Sequence, residues 1–341
     1  PNFWLFNGHV QTIWASFFRR KRCPTVYYRR EILELKDGGT VTLDWMEPEG
    51  EDQDFNSDPD SPLVVILHGL TGGSHEPYIR HLVHELARKR GWRCVVLNHR
   101  GCGGSPITTP RLYTAGHTED IREVIEHLKQ RYPEAPLYAV GFSLGGNMLT
   151  NYLGEEGDNC PLSAAVTICN PWDLEECSES IEKGLMSRRL YNRYLTKNLK
   201  RMVQRHRNHF EDIEKKAEYN AEEIDLERLK KARTIREFDD NITAPMYGFK
   251  DAEDYYRQAS SMPYLDNIRV PLLCINAADD PFMPEEAIPP DEAKQNPNVV
   301  LVITSHGGHI GFIEGTWYPS GSQWLDQTIM EYLESFRTNR R

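Results

Sequence analysis

Hydrophobic and polar residues alternate along the chain in a pattern that predicts strands and helices in turn. Short apolar runs such as 63–67 and 137–142 have the length and the β-branched content of buried strands. Between such runs, in 77–90 and 118–132, apolar residues recur every three or four positions, which predicts helices that place one face on a core. A regular succession of strand and helix is typical of a parallel sheet covered on both faces. We therefore predict an α/β fold.

The predicted elements follow one another up to residue 170. Strands at 31–35 and 40–46, joined by an Asp-Gly-Gly turn, form a hairpin. An acidic stretch at 47–62, with Pro, Gly, Ser and Asn, predicts a solvated loop. The alternating region then consists of predicted strands at 63–67, 92–98, 137–142 and 164–169 and of predicted helices at 77–90, 118–132 and from 144 onward.

The alternation stops at Asn170 and resumes at Val270. Beyond Val270 the pattern predicts two further strands, at 271–277 and 299–304, and a final helix at 323–336 with Ser322 as its candidate N-cap.

Three parts of the chain follow from this organisation. The interruption is charged and has helical spacing, which predicts a helical cap inserted over the sheet. The many aromatic residues near the N-terminus predict a segment that packs on the body of the protein, either near the mouth of a site or as an ordinary cover of the core. We therefore expect an N-terminal segment at 1–30, an α/β core at 31–170 and 266–341, and a helical cap at 171–265.

The composition narrows the function classes. With 341 residues the chain can bury a sizeable core, and its net charge of −11 argues against nucleic acid as a partner. Seven cysteines without a Cys-x-x-Cys pair disfavour a disulfide framework or a structural zinc site and favour an intracellular, reducing compartment. No apolar run reaches the length of a membrane span. The sequence begins at Pro1 without a methionine, so an anchor upstream of residue 1 stays an open question.

A serine motif lies at a junction of strand and helix. The run 137–142 leads directly into Gly141-Phe142-Ser143-Leu144-Gly145, a Gly-x-Ser-x-Gly sequence. The Ser143 hydroxyl at this junction is either a helix cap or a nucleophile on a sharp turn, with glycines that let strand and helix pack closely. The motif alone does not separate these two interpretations, so the rest of the chain must.

The partners of a nucleophilic serine follow the late strands. Such a serine needs a base and a carboxylate that orients the base. Active groups in parallel sheets gather at the carboxyl ends of the strands. Asp279 and Asp280 follow the strand at 271–277, while His306 and His309 follow the next one. The order Ser, Asp, His is that of the α/β-hydrolase fold, so we predict that Ser143 is a nucleophile.

Two candidates stand at each partner position. Asp280 is favoured because it precedes the turn Pro-Phe-Met-Pro, and Asp279 has the alternative interpretation of a turn or capping carboxylate. His309 is favoured over His306 because the glycines before it allow the loop to bring the ring back toward the serine.

Two backbone N–H groups are the candidate oxyanion donors. One is the N–H of Leu144, at the start of the helix after the serine. The other belongs to the stretch HGLTGGS at 68–74, where Leu70 is favoured and Thr71 is the alternative. This glycine-rich stretch lacks the Lys-Ser/Thr ending of a P-loop, which disfavours a phosphate site.

Several motifs together resemble one family. HGLTGGS, NHRGCGGS, GFSLGGN, INAADDPFMP and HGGHIGF are similar to the YheT-like, ABHD1/ABHD3-type branch of the α/β-hydrolase superfamily, close to fungal medium-chain ethyl ester synthase/esterases. FNGHVQTIW and REFDDNITAPMYGF extend the resemblance over nearly the whole chain. The resemblance implies Ser143, Asp280 and His309 as the charge relay. It also implies carboxylesterase, lipase or phospholipase activity, with acyl transfer to alcohols in fungal members.

These observations favour a serine ester hydrolase that acts on medium- or long-chain acyl esters through an acyl-enzyme, with no metal or cofactor. An alternative is an alcohol acyltransferase that uses the same Ser143, because no His-x-x-x-Asp acyltransferase motif occurs. A second alternative is a catalytically silent scaffold, which the complete set of triad residues disfavours.

A basic run in the predicted cap suggests contact with a membrane surface. Residues 183–210 hold nine Lys or Arg and no Asp or Glu, as in basic amphipathic helices at anionic membranes. The alternative is that eight acidic residues at 211–227 pair with the basic face while the apolar face covers the acyl pocket. The apolar positions are Leu185, Leu190, Tyr194, Leu195, Leu199, Met202 and Val203.

Overall fold

The computed structural model describes residues 7–17, 23–46, 61–184, 187–212, 224–314 and 324–338. Most of the predicted acidic loop at 47–62, most of the acidic stretch at 211–227, the candidate cap Ser322, and Leu185 lie outside the described residues.

An eight-stranded sheet forms the centre of the molecule, in the order β1-β2-β4-β3-β5-β6-β7-β8. Strand β2 runs antiparallel to both β1 and β4, and every other neighbouring pair is parallel. The predicted α/β fold with a mostly parallel sheet is therefore confirmed. The strands are β1 Tyr28–Glu34, β2 Thr40–Met46, β3 Leu63–Leu67, β4 Arg93–Asn98, β5 Leu137–Phe142, β6 Ala164–Ile168, β7 Leu272–Ala277 and β8 Val299–Thr304.

The helices cover both faces of this sheet and fill the segment between β6 and β7. None of the described helices is both long enough and apolar enough to cross a bilayer. They are α1 Gly8–Phe17, α2 Pro77–Arg90, α3 Glu119–Arg131, α4 Leu144–Glu156, α5 Leu174–Lys183, α6 Arg193–Arg205, α7 Arg207–Glu211, α8 Leu226–Lys231, α9 Ile235–Phe238, α10 Ala244–Tyr247, α11 Ala252–Ala259, α12 Pro290–Gln295 and α13 Trp324–Thr338.

The sheet divides the core into two apolar layers. In β3 every side chain is buried, and successive residues enter opposite layers. Val64 and Ile66 pack in the layer that contains α2 and α13, whereas Val65 packs in the layer that contains α3 and α4. Burial on both faces explains why the sequence of a central parallel strand is apolar throughout instead of alternating.

The hairpin starts earlier than its apolar pattern suggests. Strand β1 begins at Tyr28, three positions before the predicted start, because its ladder with β2 continues to the pair Tyr28 and Met46. On this ladder the Arg30 guanidinium donates two hydrogen bonds of 2.7 Å to the buried Asp44 carboxylate. Polar residues therefore extend the strand where hydrophobicity gives no signal.

The segment predicted as a cap, residues 171–265, contains α5–α11 and two π-helical turns. The basic run in this segment is not one regular amphipathic helix, because a π-helical turn at Ser187–Asn192 precedes α6 and His206 separates α6 from α7. The buried Asn192 side chain accepts a 2.7 Å hydrogen bond from the Ile235 N–H. This contact joins two parts of the segment that are 43 residues apart in the sequence.

The order of the strands determines where a site forms. The chain passes from β3 to β4 on one side and then to β5 on the other side of β3. In open parallel sheets, a crevice forms at such a reversal, outside the carboxyl ends of the strands. The residues after β3 and β5 face this crevice, and those after β7 and β8 lie along the same edge.

Candidate active site

Ser143 occupies a strained position at the turn between β5 and α4. Its backbone φ of 52° and ψ of −122° lie in a region that residues with a side chain rarely adopt. Its hydroxyl makes no helix-capping hydrogen bond, so the interpretation as a cap is wrong. The Oγ atom instead lies 2.8 Å from Nε2 of His309.

A glycine in the first turn of α4 permits this geometry. A Cβ atom at Gly145 would lie 2.6 Å from the carbonyl oxygen of His68 and 2.7 Å from that of Leu67. Real Cβ contacts are not this short, so a side chain here would push α4 away from the end of β3. Gly145 therefore allows the serine turn to sit directly beside the loop that follows β3.

His309 joins the serine to a buried carboxylate. Its Nδ1 lies 2.8 Å from Oδ2 of Asp280, whose side chain is fully buried at the end of β7. The second carboxylate oxygen, Oδ1, accepts a 2.8 Å hydrogen bond from the Phe282 N–H. A proton on Nδ1, donated to Asp280, leaves the Nε2 lone pair free to accept the Ser143 proton.

The alternative candidates pair with each other. His306 Nδ1 lies 3.2 Å from Oδ2 of Asp279, and the imidazole is 45% exposed. Oδ1 of Asp279 accepts hydrogen bonds from the N–H groups of Gly307 and Gly308, at 2.9 and 2.8 Å. Asp279 thus holds the loop that carries His309, and His306 faces away from Ser143.

The loop after β3 lies against the serine turn. A Cβ atom built at Gly69 would lie 3.2 Å from the Ser143 Cβ, so the two turns are in contact. The Gly69 N–H donates to the Tyr78 hydroxyl at 3.1 Å, and the Thr71 N–H donates to the Tyr113 hydroxyl at 2.8 Å. Thr71 is therefore occupied. Within the described part of the chain, the N–H groups of Leu70 and Leu144 donate no hydrogen bond.

Two buried histidines support this loop. Burial lowers the pKa of His68 and of His99 to about 3, so both imidazoles are neutral. Nδ1 of His68 lies 2.7 Å from the Gly69 carbonyl oxygen, and the His99 ring stacks on Tyr113 at 5.0 Å. A neutral imidazole with its proton on Nδ1 donates to the Gly69 carbonyl, and this contact supports the loop after β3.

A cavity of about 950 Å³ opens beside Ser143 and His309. Its volume is at the upper end of the range of roughly 300 to 1,000 Å³ for small-molecule sites. The walls are mainly apolar and come from the core and from the segment predicted as a cap. They include Leu112, Leu174, Ile181, Leu199, Met202 and Phe238.

One buried acid also lines the cavity. Asp239 accepts hydrogen bonds from the Thr243 and Tyr256 hydroxyls, at 2.6 and 2.7 Å. Burial raises the pKa of this carboxyl to about 6. Its hydrogen bonds join the π-helical turn at Asp239–Thr243 to α11, and in the sequence it lies in the motif REFDDNITAPMYGF.

A metal fits poorly among the side chains at the centre of the site. Cys169, Asp280 and His309 bring a sulfur, an oxygen and a nitrogen within 4.8 Å of one another. Burial raises the pKa of the Cys169 thiol well above its ordinary value, which disfavours the thiolate that metals bind. Both His309 nitrogens already face Ser143 and Asp280.

Residues that sequence reasoning missed complete the site. The Phe282 ring packs on the His309 imidazole with a centroid separation of 4.3 Å. Thr12, in α1, accepts a hydrogen bond from the His309 N–H at 2.9 Å. The sequence signal for both was present, because Phe282 follows Asp280 in the motif DDPFMP and Thr12 lies in FNGHVQTIW.

Comparisons with known proteins agree with the observed fold. A family model described as alpha/beta hydrolase fold matches residues 62–316. Phospholipase ABHD3 of Homo sapiens is 42% identical over 98% of this chain and 78% of its own length. The putative esterase YheT of Escherichia coli is 43% identical over 97% of this chain and 91% of its own. Medium-chain fatty acid ethyl ester synthase/esterase 2 of Saccharomyces cerevisiae is 37% identical over 98% of this chain and 84% of its own.

A solved structure has the same fold at low sequence identity. The Pyrococcus furiosus esterase Pf2001 superposes with a TM-score of 0.55, covering 91% of this chain and 93% of that one, at 17% identity.

Proposed function

The chain belongs to the alpha/beta hydrolase family, and we propose that it is a serine hydrolase that cleaves medium- or long-chain acyl esters. The observation that carries this proposal is the continuous line of hydrogen-bonding atoms from Asp280 through His309 to Ser143, at 2.8 Å in both steps. The relatives named phospholipase and esterase support an ester as the substrate.

In the first half of the reaction, Ser143 Oγ attacks the ester carbonyl carbon while His309 Nε2 takes the hydroxyl proton. Asp280 holds the imidazole tautomer and stabilises the imidazolium. The negative charge that develops on the carbonyl oxygen is accepted by the N–H groups of Leu70 and Leu144. When the intermediate collapses, the imidazolium protonates the leaving alcohol, and an acyl group remains on Ser143.

In the second half, His309 takes a proton from water, and the resulting hydroxide attacks the acyl carbonyl. The second tetrahedral intermediate expels Ser143 Oγ, which recovers its proton from the imidazolium. The fatty acid leaves and the free enzyme is restored. Every proton in this cycle passes through one imidazole nitrogen, so the distance between His309 and Ser143 controls both halves.

The apolar cavity favours an acyl chain over a compact polar substrate. Leu174, Leu199 and Met202 offer hydrocarbon contacts beside the nucleophile, and each buried CH₂ contributes about 0.8 kcal/mol. We therefore assign residues 171–265 the role of a cap that covers the acyl chain.

Acyl transfer to an alcohol is a second candidate for the same acyl-enzyme. The yeast relative named ester synthase/esterase favours it. An alcohol in place of water would attack the acyl group on Ser143 by the same steps. Measuring ester synthesis against hydrolysis at increasing ethanol concentration separates the two activities.

A panel of glycerol and phospholipid esters of graded acyl length tests the main proposal. Ser143→Ala should lose turnover of every ester and should resist labelling by a fluorophosphonate, because no nucleophile remains. Ser335→Ala, at an exposed position in α13, is the matched control and should behave like the wild type. Undiminished hydrolysis by pure Ser143→Ala would refute the proposal.

We also propose that the cap rests on an anionic lipid surface. Leu190 and Tyr194 are 41% and 55% exposed at the edge of the cavity. Arg193, Lys197 and Arg201 line one open groove beside them and form no ion pair among the described residues. A basic surface around exposed apolar groups is typical of interfacial helices, and each cation contributes about 1 kcal/mol at an anionic membrane.

Vesicle co-sedimentation tests this contact, with phosphatidylserine vesicles compared at low and high salt. Changing Arg193, Lys197 and Arg201 together to Gln should weaken binding by about 100-fold at low salt. The control changes Lys36, Arg90 and Lys294, exposed residues outside the cap, to Gln. Vesicle binding that changes neither with salt concentration nor with the cap substitutions would overturn the proposal.

A further inference from the structure

Helix α1 docks directly on the residues that hold the candidate acid and base. A Cβ atom at Gly8 would lie 1.7 Å from the carbonyl oxygen of Asp279, the neighbour of Asp280. A Cβ atom at Gly308 would lie 2.4 Å from the carbonyl oxygen of Gly8. Two glycines thus allow the backbone of α1 to touch both the end of β7 and the histidine loop, residues 305–313.

Thr12 makes the central polar contact of this interface. It is buried, and its hydroxyl donates a 2.7 Å hydrogen bond to the Gly8 carbonyl within α1. Because the proton is committed to Gly8, a lone pair of Oγ1 faces the histidine loop and accepts the N–H of His309 at 2.9 Å. The acceptor therefore acts on the backbone of the residue whose side chain must reach Ser143.

The histidine loop has a strained backbone that needs such external contacts. Ile310 and Phe312 have φ values of 60° and 42°, in the left-handed region that residues with a branched or aromatic side chain rarely adopt. Conformations of this kind persist where surrounding contacts enforce them. Thr12 provides one such contact immediately before Ile310.

Helix α1 also supports the other side of the imidazole. His9 stacks on Tyr191 with parallel rings at 5.9 Å, and Tyr191 contacts Phe282 at 4.8 Å. Phe282 in turn packs on the His309 ring. The imidazole is therefore held through its backbone by Thr12 and through its face by a row of rings that begins in α1.

We propose that Thr12 is a positioning residue that sets the His309 imidazole in line between Asp280 and Ser143. The proposal rests on the proposed function, because it assigns Thr12 a role in the reaction of that triad. Without the Oγ1 acceptor, the His309 N–H loses its partner and the strained loop relaxes, which moves Nε2 away from Ser143. When a mutation far from the chemistry displaces a reacting group by about 1 Å, the rate falls by up to about 100-fold.

Thr12→Val tests the proposal because it keeps the shape and removes the hydroxyl. We expect kcat to fall by about 10- to 100-fold while KM changes by less than about twofold. Thr12→Ser retains the acceptor and should recover most of the rate. Thr196→Val is the matched control, because Thr196 is also buried and its hydroxyl bonds the carbonyl four residues earlier, at 2.7 Å.

Active sites should be counted by fluorophosphonate labelling carried to completion, and kcat expressed per labelled site. A merely structural role would lower the number of sites and leave kcat per site unchanged, and that result would overturn the proposal. If Thr12→Val gives no folded protein, Thr12→Ala is assessed in the same way. Full activity of Ser143→Ala would instead refute the proposed function, so the two failures are distinguishable.

Discussion

Two histidine–aspartate pairs lie on the same two loops, three residues apart on one loop and one residue apart on the other. His309 and Asp280 form the inner pair, with side chains 13% and 0% exposed. His306 and Asp279 form the outer pair, at 45% and 19%. The residue types are identical and the separations are similar, at 2.8 and 3.2 Å. What differs is the third partner, because the inner histidine faces Ser143 and the outer one faces solvent.

This difference shows that the burial and the neighbours of a histidine–aspartate pair determine what the pair can do. In the inner pair, burial strengthens the interaction between carboxylate and imidazole and excludes competing water. In the outer pair, solvent weakens the same interaction to about 0–1 kcal/mol. The Asp279 carboxylate also accepts hydrogen bonds from two backbone N–H groups. The outer pair shapes a loop, whereas the inner pair is placed to move a proton.

Removing the inner base should have the largest effect. His309→Ala should lower kcat for ester hydrolysis by about 10⁵-fold or more, because the imidazole that lies 2.8 Å from Ser143 Oγ and takes its proton is removed. The measurement is single-turnover hydrolysis at saturating ester. Combining it with Ser143→Ala should add little, since the two residues act as a unit. A strictly additive double variant would contradict the assignment.

The two aspartates should respond differently to the same change. Asp280→Asn should lower kcat by about 10³- to 10⁴-fold, because an amide cannot fix the imidazole tautomer or stabilise the imidazolium. Asp279→Asn should stay within about threefold, because an amide oxygen still accepts the Gly307 and Gly308 N–H groups. Steady-state kinetics on both variants checks this contrast. Exchanged phenotypes would mean that Asp279 is the true acid.

The smallest effect belongs to the outer histidine. His306→Ala should leave kcat and KM within about twofold and should shift the free energy of unfolding by less than about 1 kcal/mol, because the pair is half exposed. Urea unfolding and steady-state kinetics measure both quantities. A loss of kcat comparable to that of His309→Ala would make the outer pair part of the reaction.

Sequence reasoning located the inner pair because its logic is local. Ser143, Asp280 and His309 each follow a strand that hydrophobic patterning predicts, and parallel strands bring their carboxyl ends to one edge. The same reasoning could not predict the role of Thr12, because it lies in an ordinary helical turn and its partner His309 is 297 residues away. Neither periodicity nor capping rules reach across such a distance.

Two other features of the molecule involve long-range contacts that the sequence does not reveal. Tyr113 occupies the Thr71 N–H and thereby leaves Leu70 as the favoured donor of the two candidates, but nothing in the sequence links positions 71 and 113. The π-helical turn before α6 ends at Asn192, whose side chain accepts the N–H of Ile235, 43 residues away. Local propensity is a weak guide wherever a buried polar side chain finds a distant backbone partner.

The contact between Thr12 and His309 also limits how early the active site can form during synthesis of the chain. Residue 309 is added to the growing chain 297 residues after residue 12. At about 5 to 20 residues per second, this interval lasts about 15 to 60 s. Throughout it, α1 has been made but its partner loop has not. All eight strands of the sheet are synthesised during this interval. A ribosome-bound chain that lacks the histidine loop therefore cannot assemble the triad.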